Sequence, residues 1–475
     1  MGNAMTRGPL VIRALEEAIG EDRVRSHPLD LAIFDKDAGV ERGAPMCVVF
    51  PESTEHVSAI VRIAASHGVP IVPRGAGTGL AGGAIATEPG VLVVMTKLHE
   101  IEIDAEARTA WVGPGVINLD LSRHVEDLGL HFAPDPSSQQ ACTIGGNVGT
   151  NAGGPHGLAD GSTVAHVLAA EVVLADGSIV TVGGEYPDPI GLDLRAVVVG
   201  SEGTLGIVTR VLVKLTQNPP HVDTLLLGFD DIENAARTVS DTIASGIVPA
   251  ALEMMDREMI VAVERFARAG YPVEAAAVLL VELTGTPQEV DAAADAVATI
   301  AEARDAFVIR RAENDAERAL LWKGRKAAFG AVAQTAPDYY LHDTVVPRTK
   351  LVEVLNEIYE IAGRYGLTMM NVFHAGDGNL HPLIAFDASE PGMLDKVRES
   401  GEEMVEVSVR AGGSLSGEHG IGVEKRDLMG RVFTDLDLDA QARVREAFDP
   451  DASFNPGKVL PTGARCFDAS GRRLP

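Results

Sequence analysis

The residues best suited to chemistry fall in two short stretches. Val372-Phe373-His374-Ala375-Gly376-Asp377-Gly378-Asn379-Leu380-His381 lies between two apolar runs, and Ser416-Gly417-Glu418-His419-Gly420-Ile421-Gly422 comes later in the chain. Asp377-Gly378 is a natural tight-turn pair, so the two imidazoles can flank a hairpin and converge. Two His and one Glu make a metal-ligand set with room for a further ligand from a substrate. Spacing alone leaves the plainer alternative open, two polar residues in a turn. A third stretch, Leu321-Trp322-Lys323-Gly324-Arg325-Lys326, is basic and reads equally well as a solvated helix face.

Glycine supplies a different kind of chemistry. Pro73-Arg74-Gly75-Ala76-Gly77-Thr78-Gly79-Leu80-Ala81-Gly82-Gly83-Ala84 exposes consecutive N–H groups and lets the backbone approach a phosphate. Gly77, Gly79 and Gly82 spell G-x-G-x-x-G, but Gly82-Gly83 and then Pro89-Gly90 leave no room for the helix a Rossmann fingerprint requires. A Walker loop fails as well, because no Lys follows the glycines. A plain glycine-rich surface turn stays open. The second cluster runs from Pro134-Asp135-Pro136-Ser137-Ser138 through Cys142-Thr143-Ile144-Gly145-Gly146-Asn147-Val148-Gly149-Thr150-Asn151-Ala152-Gly153-Gly154. The third is Gly200-Ser201-Glu202-Gly203-Thr204-Leu205-Gly206-Ile207. Three such loops between short strands suggest one backbone-lined groove, which a long dinucleotide would fill.

These loops need strands and helices to hold them. In the first half, strands are expected at 46–50, 69–73, 91–95, 109–112, 164–174, 179–182 and 208–215. Thr54 is placed as the cap of a helix that buries Val57, Ile60, Val61 and Ala64, with Gly68 just past its end. Pro219-Pro220 reads as a domain boundary. The second half alternates longer elements. Strands are expected at 224–229, 277–283 and 307–310, and helices at 232–244, 316–333 and 351–365. Thr286-Pro287-Gln288-Glu289 opens a further helix with a capping box. Residues 368–386 are expected to hold two strands around a tight turn.

The 475 residues correspond to about three domains at roughly 150 residues each, or to two larger ones. Forty basic against 68 acidic residues give a net charge of −28, which argues against nucleic acid or an anionic membrane as the main partner. Hydrophobic residues at 46% suffice for a packed core. Cys47, Cys142 and Cys466 are far apart, so neither a disulfide framework nor a cysteine zinc site is expected. No apolar run is long enough to cross a bilayer. A cytoplasmic protein is the expectation, with attachment to the inner-membrane surface as a variant.

In combination, R-G-A-G-T-G-L, then P-D-P-S-S, C-T-I-G-G-N and N-A-G-G, then G-S-E-G-T-L-G-I resemble the vanillyl-alcohol-oxidase-type FAD fold. Within it the chain is similar to FAD-linked D-2-hydroxyacid dehydrogenases, in the branch holding D-lactate dehydrogenases and the glycolate oxidase FAD subunit. The resemblance spans residues 46–460. It implies an α+β architecture, with a two-subdomain FAD-binding domain at 1–220 and an α+β cap with an antiparallel sheet at 221–420. Residues 421–475 would return to the FAD domain. It also implies that Arg74, Gly75, Ala76, Gly77, Thr78, Gly79, Leu80, Gly82 and Gly83 wrap the cofactor. Pro134, Thr143, Ile144, Gly146, Asn147, Thr150, Gly203, Ile207 and Asn455 would line the rest, although Asn455 could equally be a helix cap. No His lies between Arg74 and Thr87, so FAD is expected to be noncovalent.

H-x-G-D-G-N-L-H followed by G-E-H-G-x-G matches the family's metal and catalytic signature. By resemblance His374, His381 and Glu418 bind a divalent ion, zinc by its N/N/O ligation or else manganese or iron. His419 would be the base and Arg325 the contact to the substrate carboxylate. The implied reaction oxidises a small D-2-hydroxy acid chelated by the ion, with hydride passing to flavin N5 and a 2-keto acid as product. Members acting on 2-hydroxyglutarate tend to carry a Lys shortly before the position of Asp343. Leu341 and His342 stand there instead, which favours glycolate or D-lactate over D-2-hydroxyglutarate. The chain has no cluster-ligating cysteine set, so electrons must leave to another acceptor, either an iron–sulfur subunit or a quinone-linked chain. A role as the FAD subunit of a larger complex is the rival reading, and a homodimer is a further option.

Overall fold

The computed structural model describes residues 4–186 and 190–461; Cys466 lies outside the described residues. The chain divides into two compact units. The first comprises residues 1–153, 162–217 and 418–475, and the second residues 154–161 and 218–417. The first unit is thus interrupted twice. The return to it falls at Gly417–Glu418, where the sequence reading placed it after residue 420.

The first unit holds two main sheets. The smaller has the order Val24–Arg25, Cys47–Val49, Val91–Val94, Ile71–Arg74, with its last three strands parallel. Helix Thr54–His67 buries Val57, Ile60, Val61 and Ala64, spaced to form one face, in a core shared with Val49, Ile71 and Val93. Each large side chain so buried contributes roughly 1.5–3 kcal/mol. The cap is Ser53 and not Thr54: Ser53 Oγ accepts from His56 N, while Thr54 is already helical and donates its hydroxyl to Glu171. Of two adjacent hydroxyl residues, only the one with extended backbone can turn its oxygen back onto the first turn. Gly68 ends the helix in the left-handed conformation, as expected.

The larger sheet is antiparallel, in the order Ile101–Asp104, Thr109–Val112, Ile207–Lys214, Val167–Val173, Ile179–Gly183. Asp176-Gly177 forms the expected hairpin turn. The second glycine cluster differs from expectation. It is not an open loop but a helix, Ile144–Thr150, because Thr143 caps it and Ile144, Asn147 and Val148 are buried.

The second unit is built on a nine-stranded sheet. Its main path runs Val308–Arg311, His221–Phe229, Ala277–Gly285, Ala251–Asp256, Thr368–His374, Asn379–Leu380, Thr344–Val345, and Pro382–Phe386 and Asp338–Leu341 pair off that path. Ala277–Leu283 and Ala251–Asp256 are buried at every position, not at alternate ones, so packed elements cover both faces. Helices Ile232–Ala244, Pro287–Glu302, Leu351–Tyr365 and Met393–Arg410 supply one continuous core with these strands. The capping box at Thr286 and Glu289 forms as expected. The helix expected over 316–333 is two, Asp315–Lys326 and Ala328–Val332. Ala327 N donates to both the Lys323 and Gly324 carbonyls, and this tightened turn breaks the helix.

Candidate functional site

In the second unit the hairpin brings the two histidines together. Strand Thr368–His374 ends at His374, which pairs with Asn379 across the turn. Asp377 Oδ1 accepts from Asn379 N, and Gly378 takes a positive φ of 80°. The rings of His374 and His381 meet edge to face with centroids 5.1 Å apart, and both residues are buried.

Behind each imidazole stands a buried carboxylate. Glu253 lies opposite His374 in strand register, and its Oε1 is 2.7 Å from His374 Nδ1. Its Oε2 takes both Nε and Nη2 of Arg325, at 2.7 and 2.5 Å. Burial pushes the Glu253 carboxyl up, but Arg325 and His374 together outweigh it and hold it below the ordinary glutamate value. Glu253 thus occupies the Nε–Nη2 edge of Arg325. The Nη1 end is turned away from that carboxylate, and Nη1 is buried and without a hydrogen-bond partner among the described residues. Asp343 Oδ1 lies 3.8 Å from His381 Nδ1, and its carboxylate also accepts from Ser416 Oγ and Gly417 N at 2.5 and 3.0 Å. A Cβ on Gly417 would strike the side-chain amide of Asn379, which would have to shift. Leu341 and His342 are buried, with the His342 ring edge-on to Tyr340.

Glu418 and His419 follow directly on Gly417 but belong to the first unit. There Glu418 Oε2 lies 3.3 Å from where a Cβ on Gly153 would stand, and Glu418 Oε1 is 3.8 Å from His419 Nε2. The loop that follows is held by Glu202, which accepts from Ile421 N at 2.6 Å and Gly422 N at 2.9 Å. Burial pushes the Glu202 carboxyl up to about 7 despite these N–H groups and the cations Lys425 and Lys458.

The first unit also gathers the glycine loops. Residues 75–80 are only partly covered, and a Cβ added to Gly79 would meet nothing within 4 Å. This stretch can seat a ligand on its backbone. The Arg74 guanidinium donates to the carbonyls of Lys36 and Ala84 and so staples the loop. Gly77, at φ 74°, lies so close that a Cβ would collide with the Arg74 guanidinium. Thr143 faces Gly75, joining the first two clusters. Pro134, Ile144 and Asn147 are buried structural members: Asn118 Nδ2 donates to Pro134 O and Asn147 Oδ1, both at 2.9 Å. Thr150 Oγ1 bonds the Gly146 carbonyl, Gly203 is pressed against Pro73, and Ile207 lies in the core. Gly82 and Gly83 back onto Val423 and Glu202. Asn455 is not a helix cap: fully buried, it donates Nδ2 to Gly83 O and Glu202 O, joining the first and third loops. Its Oδ1 has no partner among the described residues. An exposed backbone wall with a buried, unused acceptor fits a large heteroaromatic cofactor with N–H groups.

Sequence reasoning missed Glu253 and the clamping roles of Glu202 and Asp343. Glu253 carried a signal, a lone carboxylate inside the apolar run Ala-Leu-Glu-Met-Met.

Comparison with known proteins finds two family matches. Residues 45–183 match the FAD binding domain family, and residues 218–459 match "FAD linked oxidases, C-terminal domain". The glycolate oxidase subunit GlcD of Escherichia coli K12 is 48% identical over 90% of this chain and 86% of its own length. GlcD of Bacillus subtilis is 40% identical over 91% and 93%, and a D-lactate dehydrogenase of Anaerostipes hadrus is 33% identical over 90% and 91%. Among solved structures, p-cresol methylhydroxylase with substrate bound superposes with a TM-score of 0.81 at 17% identity, covering 95% of this chain and 97% of its own. The 4-ethylphenol oxidase of Gulosibacter chungangensis gives 0.77 at 18%, covering 97% and 98%. The vanillyl-alcohol-oxidase-type fold expected from the motifs is thereby established.

Proposed function

Because the chain belongs to the FAD-linked oxidase family, an oxidoreductase family, we propose that it oxidises a small D-2-hydroxy acid, glycolate or D-lactate, to the 2-keto acid. The observation that carries this reading is the buried His374–His381 pair with a carboxylate behind each ring, in a chain whose relatives are named for glycolate and D-lactate. FAD would be noncovalent, seated along Gly75–Leu80. His374, His381 and Glu418 would hold a divalent ion, zinc by ligand type or else manganese or iron. Bound FAD supplies the two-electron acceptor and the ion supplies Lewis acidity.

The chain's residues do the rest. Arg325 offers its Nη1 end to the substrate carboxylate as a charged donor group. His419 accepts the hydroxyl proton; an imidazole, with an ordinary pKa near ~6.5, suits that task at neutral pH. Asp343 and Glu202 hold the loop on either side of Glu418-His419, so the base needs little reorganisation. Leu341 and His342 stand where relatives acting on 2-hydroxyglutarate tend to carry a lysine, which disfavours D-2-hydroxyglutarate.

The test is anaerobic reduction. Glycolate or D-lactate should bleach the flavin absorbance, D-2-hydroxyglutarate should do so poorly, and a chelator should stop bleaching with FAD retained. Flavin that stays oxidised with every 2-hydroxy acid, with ion and FAD bound, would refute the reading. Flavin remaining on the denatured chain would refute noncovalent binding.

A second reading concerns assembly. Two relatives are named as subunits, and the three cysteines cannot ligate an iron–sulfur cluster. In this reading the chain passes electrons to a partner carrying such a cluster. Turnover with a dye acceptor but not with a quinone, until that partner is added, would support it. No helix among the described residues is long and apolar enough to cross a membrane.

A further inference from the structure

We propose that Glu253 is a positioning residue with two dependents: it fixes His374 with its proton on Nδ1, and it turns Arg325 so that its Nη1 end is left for an anion. This deepens the metal-assisted reading above and rests on it. The placement is set by the sheet. Glu253 sits mid-strand in Ala251–Asp256, with Leu280 on one side and His374 directly across on the other. Opposed positions in neighbouring strands bring Cβ atoms to roughly 4.5–5.5 Å, so the contact is built into strand register.

The carboxylate, paired with a guanidinium, can only accept. At 2.7 Å the group facing Oε1 must be Nδ1–H, and the imidazole lone pair is left on Nε2. A carboxylate behind a histidine orients the ring and makes the opposite nitrogen a better metal ligand. The other oxygen holds Arg325 through Nε and Nη2, two charged donors that converge on it and fix which edge of the guanidinium faces Glu253. One group thus ties cation affinity to anion affinity. A role confined to core stability would not predict that link.

The experiment uses FAD-loaded protein, wild type against E253Q and E253D. Manganese affinity is read from the EPR signal of free Mn2+, FAD occupancy from absorbance, and KM and kcat from dye reduction with glycolate or D-lactate. E253Q is expected to weaken manganese binding by about 10–100-fold and to raise KM, with FAD occupancy unchanged. E253D keeps the charge but is a methylene shorter, so it should fall between. In metal-free wild type labelled with 15N-histidine, the His374 signal, identified by its loss in H374Q, should show the proton on Nδ1. Wild-type manganese affinity in E253Q, or a proton on Nε2 of His374, overturns the proposal. If E253Q does not fold, E253D and the nitrogen shifts decide it. Wild type that binds no divalent ion would overturn the metal-assisted reading itself, whereas binding that E253Q leaves intact removes only Glu253's role.

Discussion

The glycine-lined wall of the first unit and the histidine cluster of the second are built by opposite means. Along Gly75–Leu80 the working surface is backbone, and Arg74 and Asn455 spend their donors on carbonyls that shape the loops. Around His374 and His381 the working surface is side chains, with Glu253 bonded to the first ring and the Asp343 carboxylate 3.8 Å from the second. A wall of backbone is damaged by adding an atom. A cluster of side chains is damaged by removing a charge or a ring. The two regions should therefore fail in separable ways.

The largest separation is expected from the histidines. H381A, or H374A, should slow flavin reduction by at least about 10²–10³-fold, the range for losing one preorganised electrostatic element, while FAD absorbance of the purified protein stays at wild-type level. Stopped-flow reduction reads the first quantity; if both quantities fall together, the regions are not independent. The converse is G77A. It places a Cβ against the Arg74 guanidinium at a φ of 74°. A left-handed non-glycine residue costs roughly 1–2 kcal/mol, so FAD affinity should drop by about tenfold or more with manganese binding unchanged, as titration of the FAD-free protein would read.

A smaller effect sharpens the electrostatic side. Glu202 is raised from 4.5 to about 7, so the folded state holds its proton more tightly than the unfolded chain does. Its contribution is fully present below pH 4.5 and lost as pH climbs through 7. That loss is on the order of 3 kcal/mol between those limits. Lys458, lowered by burial to about 8, stays protonated over that window and adds no slope. Thermal unfolding of E202Q from pH 5 to 7 should show a flatter profile than wild type; parallel profiles would count against a perturbed Glu202. Smallest are the helix caps. S53A in the first unit and T286A in the second should each cost about 1 kcal/mol in denaturant unfolding and leave flavin reduction unaltered.

The parts legible in the sequence were those fixed by local geometry. Thr286-Pro287-Gln288-Glu289 announced its helix, Asp176-Gly177 its hairpin, and Asp377-Gly378 the convergence of two histidines, because each depends on residues a few positions apart. Ser53 against Thr54 could not be separated that way, since both are hydroxyl residues and backbone conformation decided between them. The same limit hid the helix in Thr143–Thr150, where buried Asn118 and Asn147 overrule the glycines. The carboxylates were harder still. Glu253 meets Arg325 and His374 across 72 and 121 residues of chain, the first through a helix packed nearby and the second through sheet register, neither of which is local in sequence.

The order in which the chain visits its two units has a consequence for biosynthesis. Ile71 donates its N–H to Ser453 and accepts from Asn455, so an early strand waits for a segment made near the end of translation. The second unit, enclosed between these parts, has all its residues by Gly417. On the ribosome the later-starting unit can finish first, and the nascent cofactor wall stays incomplete until the closing segment emerges. A premature stop after Gly417 would release a chain in which the second unit is whole and the first is not.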